Sequence, residues 1–102
     1  MQRIVSLARQ RKVSLMIVGF PIARQVDPTA PDSAAPQQWL AEFGREEGVP
    51  ILDLLPIYRK HARENGMQGR DLFPDKTHPN EAANRIAADA IFEFLTELGW
   101  LE

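Results

Sequence analysis

The apolar positions of the chain follow two periods, one of three to four residues and one of unbroken short runs. Ile4, Val5, Leu7 and Ala8 stand at near-helical spacing, and Arg9, Arg11 and Lys12 follow where the carbonyl end of a helix attracts cations. A helix is predicted over Gln2–Arg11. Val13–Phe20 (VSLMIVGF) is apolar without alternation and ends at Gly19, Phe20 and Pro21. Such a run reads as a strand covered on both faces, the habit of parallel strands inside an α/β sheet. Pro21–Pro36, rich in Pro, Asp, Ala and Ser, keeps neither period and is predicted to be a long loop, either a pocket wall or a surface excursion. Helical spacing resumes over Gln37–Glu47, with Trp39, Leu40 and Phe43 on one face and Gly48 as the stop. Val49–Leu55 is a second short strand, after which Pro56 opens a helix at its first position that runs to Asn65 and Gly66. Gly66–Pro79 is irregular. Ala83, Ile86, Ala87, Ala90, Ile91, Phe94, Leu95 and Leu98 then trace the clearest amphipathic helix of the chain, ended by Gly99. Phe92 is the apolar exception on its polar side, exposed or marking a contact. Trp39, Phe43, Tyr58, Met67 and Trp100 are assigned to the core.

The order helix, strand, helix, strand, helix, loop, helix predicts a single α/β domain with parallel strands and covering helices. Two parallel strands are too few for a sheet that is stable by itself. The Val13–Phe20 run should have neighbours on both edges, and the chain supplies one. Its bare edge is a template for strand addition, by a second copy in a homodimer or by another partner.

Composition narrows the function. The 102 residues suffice for one domain, and apolar and charged shares of 44% and 25% are those of a globular protein. No apolar run is long enough to cross a bilayer, so no membrane span is expected. A formal charge of −2 provides no basic field for phosphate backbones, and nucleic acid is not an expected partner. The absence of Cys removes disulfides, thiolate catalysis and Cys-based zinc sites. Met1–Lys12 has scattered basic residues and no apolar core of a secretory leader.

One segment carries pointed chemistry: Leu72–Asn80 (LFPDKTHPN), leading into the last helix. Asp75 and His78 are three residues apart, which in a turn feeding a helix brings the carboxylate within reach of the near ring nitrogen. The far nitrogen is then left to accept a proton, and the carboxylate stabilises the imidazolium that forms. Pro79, disfavouring helical backbone at His78 and suited to a first helical position, is expected to set His78 at or beside the N-cap. The same residue types also serve plain helix capping, so a structural Asp–His contact is the competing reading. A metal site would need His61 as a third ligand, and nothing in the sequence brings His61 to His78. No cofactor is expected.

The segment LFPDKTHPNEAANRIAADAIFEFL resembles the last block of the SGNH hydrolases, the GDSL esterase/lipase family, in which a DxxH pair followed by Pro and an amphipathic helix supplies the Asp and His of a Ser-His-Asp triad. Ser14–Pro21 (SLMIVGFP) is similar to that family's fourth strand, and Val49–Pro56 (VPILDLLP) to its fifth, with Asp53 in the place of a frequent strand-end acid. The resemblance implies part of a flavodoxin-like, three-layer α/β/α domain in which Asp75 and His78 are the catalytic acid and base. It implies an ester or acyl substrate, including carbohydrate esters. The chain departs from the family in having no GDS tripeptide and no Gly and Asn blocks for an oxyanion hole. Ser6, Ser14 and Ser33 fall in a predicted helix, at a strand entrance and in the Pro-rich loop, none at a sharp strand-to-helix turn. The absent blocks belong to the family's first three strands, the neighbours that Val13–Phe20 lacks. The chain is therefore expected to correspond to the C-terminal half of such a domain, inactive alone, with its compartment unreadable because a leader would belong to the other half.

Overall fold

The computed structural model describes residues 2–27 and 33–101. Along them run α1 (Gln2–Gln10), β1 (Ile17–Gly19), α2 (Ala23–Val26), α3 (Ala35–Glu47), β2 (Ile51–Asp53), α4 (Leu55–Asn65), a 3-10 turn at Gly69–Asp71, and α5 (Glu81–Glu97). The strands pair in parallel, Ile17 opposite Ile51, Val18 opposite Leu52 and Gly19 opposite Asp53. Among the described residues they form a two-stranded sheet, so the chain is α/β with a small parallel sheet and covering helices.

Successive strand residues point to opposite faces, and two apolar clusters follow from that alternation. Ile17 and Ile51 join Leu15, Val5, Phe43 and Val49 on the side of α1 and α3. Val18 and Leu52 join the larger cluster, built around Leu54, Leu55, Tyr58, Leu72 and Phe73 with Ala83, Ala87 and Ala90 of α5. Burial of Leu54, Leu72 and Phe73 contributes roughly 1.5–3 kcal/mol each. Tyr58 is buried with its ring edge-on to Phe73, centroids 5.2 Å apart, and its hydroxyl donates to the Ala83 carbonyl at 2.8 Å. Burial pushes the phenol up to about 12. Gly44 permits α3 to lie against β2, since a Cβ there would come within 2.3 Å of Ile51 Cγ1 and 2.8 Å of the Val49 carbonyl.

The strands are shorter than the apolar runs. β1 does not begin at Val13, because α1 closes in a left-handed cap at Lys12 (φ 56°), with Lys12 donating to the Arg9 carbonyl at 3.2 Å and Val13 to Ala8 at 2.9 Å. That closure consumes Val13, which is exposed together with Phe20. The expectation of a strand sealed on both faces is corrected likewise: β1 is half-buried throughout. β2 stops at Asp53 because the Asp53 carboxylate accepts the Leu55 N–H at 3.0 Å and starts α4 there, making Pro56 its second helical residue. α3 begins at Ala35, two residues before the predicted start, with Pro36 in its first turn. Within the predicted loop Pro21–Pro36 lies the unexpected α2, and residues 28–32 of that loop lie outside the described residues.

α5 buries Ala83, Ala87 and Ala90 of the predicted face and half-buries Ile86, Ile91, Phe94, Leu95 and Leu98, while Phe92 is exposed on the other side. The assignments of Trp39 and Trp100 to the core are corrected, since both are exposed. Trp39 stacks on buried Phe43 from outside, centroids 5.8 Å apart and planes 17° from parallel, so helical spacing put the two rings together without burying both. Among the described residues no helix is long and apolar enough to cross a membrane.

Candidate active site

The Asp75–His78 turn is set by its two ends. Leu72 and Phe73 are fully buried and anchor the entry, and Asn80 closes the exit by donating its N–H to the Leu72 carbonyl at 2.9 Å and its side-chain amide to the Asp71 carbonyl at 2.7 Å. Asn80 is also the N-cap of α5, its side-chain oxygen accepting the Ala83 N–H at 2.9 Å. The expected position of His78 at the helix mouth is therefore corrected: His78 and Pro79 both precede the cap. Asn is a better N-cap than His because its short side chain folds back onto the first-turn amides.

Within the turn the expected hydrogen bond is formed. His78 Nδ1 lies 2.7 Å from Asp75 Oδ2, while Asp75 Oδ1 accepts the His78 backbone N–H at 2.7 Å and the Thr77 N–H at 3.3 Å. The His78 N–H is the leading cause of a carboxyl held below its ordinary value of 3.8; loss of hydration opposes it, and the imidazole and the Thr77 N–H add to it. An ionised carboxylate only accepts, so Nδ1 is the protonated nitrogen of the neutral ring and Nε2 carries the free lone pair. Thr77 Oγ1, 3.2 Å from Nδ1, is a second neighbour that the motif spacing did not single out. Side-chain exposures of 79% for His78 and 59% for Asp75 leave the pair in the open. It lines none of the hollows at α1, between β2 and α5, or beside Phe20 and Ile22.

Other candidates fall elsewhere. Asp53 caps α4. His61 is half-buried on α4, its carbonyl accepting the Asn65 amide, and among the described residues no group of three or more His, Asp or Glu is placed to hold a metal ion. Ser33 uses its hydroxyl to accept the Ala35 N–H at 3.0 Å, Ser6 lies on α1 and Ser14 precedes β1. Among the described residues no serine is hydrogen-bonded to His78. The arrangement can hold an imidazole in one tautomer and present Nε2 to a hydroxyl brought from outside. No family model, curated protein or solved structure matches the chain.

Proposed function

We propose that this chain is the base-bearing part of an SGNH-type ester hydrolase or acyltransferase, with the serine and the oxyanion donors contributed by residues outside this sequence. The observation that carries the reading is the 2.7 Å contact of Nδ1 with an ionised carboxylate, on a histidine side chain open to solvent. His78 Nε2 removes the proton of the serine hydroxyl as its oxygen attacks the ester carbonyl, and Asp75 stabilises the imidazolium. Collapse of the tetrahedral intermediate breaks the ester C–O bond, and the imidazolium returns the proton to the departing alkoxide. Water or a sugar hydroxyl then attacks the acyl-serine carbonyl, losing its proton to Nε2; the acyl C–O bond to serine breaks, and the imidazolium returns the proton to the serine oxygen. The substrate is an ester or acylated carbohydrate. The whole domain is a flavodoxin-like, three-layer α/β/α fold in which further parallel strands lie beside β1.

The test is complementation. A serine-bearing segment comprising the first three strands of an SGNH domain is co-expressed with this chain, and hydrolysis of p-nitrophenyl acetate is followed. Activity is expected only from the pair, and His78→Ala should lower it by at least about 10³-fold, because triad members act as a unit. A complemented pair that hydrolyses the ester equally well with His78→Ala, or no activity from any pairing, overturns the reading.

A second reading is favoured by a separate observation. β1 pairs on one side only among the described residues, and Phe20 and Ile22 are exposed just beyond it. A non-catalytic module would use that edge to pair with a second copy. Light scattering after size exclusion separates the two: a concentration-dependent dimer dissociated by Val18→Pro favours self-pairing, and a monomer at high concentration excludes it.

A further inference from the structure

We infer that α2 is a brace for the Asp75–His78 pair, with the Ala23 N–H and the Asp27 carboxylate as its positioning groups; the inference rests on the reading of that pair as an oriented base. A pair so open to water has no packing of its own to fix it. Its geometry must come from the backbone of the turn, and that backbone is held from α2. Ala23 N–H donates to the Lys76 carbonyl at 2.8 Å, the residue between Asp75 and Thr77. Lys76 has φ 80°, a left-handed conformation that side chains other than Gly rarely adopt, and its own N–H donates to the Phe73 carbonyl at 3.0 Å. The two bonds fix the peptides on either side of Lys76, the one residue whose left-handed backbone lies between Asp75 and His78.

The other end of α2 is fixed as firmly. Asp27 Oδ1 accepts the N–H of Gly69, and the Gly69 carbonyl in turn accepts Leu72 N–H at 3.1 Å and Phe73 N–H at 2.9 Å, the two buried residues that begin the turn. Gly69 is packed so closely that a Cβ would lie 1.8 Å from the Ala23 carbonyl oxygen. Four residues cannot sustain a helix unaided. α2 is held by the buried Gln25 amide, bonded to Gln37 and the Ser33 carbonyl, and by Arg59 Nε donating to the Gln25 carbonyl at 2.8 Å. A chain of contacts therefore runs from α3 and α4 through α2 into the turn.

The decisive variant is Ala23→Pro. Ala23 is the first residue of α2 and Ile22 before it is extended (φ −102°, ψ 165°), so proline suits the backbone at both positions and removes the single N–H that reaches Lys76. Asp27→Ala removes the other tie and decides the matter if the proline variant does not fold. The readout is the ¹⁵N shifts of the two ring nitrogens of the neutral His78 imidazole, with Asp75→Ala marking the unpaired ring. The natural chain should give the Nδ1–H form. The variants should move toward the Nε2–H form that free imidazole side chains favour, while Val5→Ala, which loosens the other apolar cluster, leaves the shifts in place. Variants that fold and keep the natural shifts overturn the brace, as does an equal displacement in Val5→Ala. An Nε2–H form in the natural chain itself instead overturns the pairing, and with it the catalytic reading.

Discussion

Asp75 is held by two groups of His78, the backbone N–H and the ring, and substitution can separate them. Because the backbone N–H is the leading cause of its lowered pKa, His78→Ala should return only part of the depression. The ¹³Cγ titration of Asp75 should have its midpoint below the ordinary carboxylate value in the natural chain and in His78→Ala, lowest in the former. Complete return to the ordinary value would mean that the ring, not the turn, sets the carboxylate. The linkage has one sign. A folded carboxyl depressed below its unfolded value adds stability above the unfolded value, and that stability is lost as pH falls through the folded one. The contact was legible in the sequence because it is local: three residues and one turn contain both partners. Ala23 and Lys76, by contrast, are brought together by α2, and no spacing of residue types announces a bond between two main-chain groups so far apart.

α5 depends on its first turn. Asn80 satisfies the Ala83 N–H of the helix and ties back to Asp71, so Asn80→Ala should cost about 1–2 kcal/mol in urea denaturation, with His78→Ala costing far less. An equal cost for the two would make the His78 turn, and not Asn80, the start of the helix. The elements differ in how plainly they are written. α5 follows from its apolar period because seventeen residues repeat the same choice. α2 has no such record, since tertiary hydrogen bonds to Gln25, Ala23 and Asp27 replace the propensity that four residues cannot supply. β1 departs from the apolar run Val13–Phe20 for a related reason. Lys12 adopts the left-handed cap usually given to Gly, and so the signal that ends α1 and delays the strand was disguised.

Among the described residues the molecule is two apolar clusters divided by a sheet only two strands wide. The larger one carries α5 and the roots of the His78 turn, and the smaller one holds α1 through Val5. The α/β class was readable from the order of elements. The half-burial of β1 was not, because an apolar run specifies that a strand prefers cover and is silent on whether the cover is present. The position of the two indoles adds a practical consequence. Trp39 is 59% and Trp100 37% accessible, and they are the only two tryptophans in the sequence. Their emission in the native state is expected to lie close to that of indole in water, so fluorescence should register denaturation only weakly. The optical signal of folding resides in Tyr58, whose near-ultraviolet dichroism against Phe73 should vanish when the chain melts.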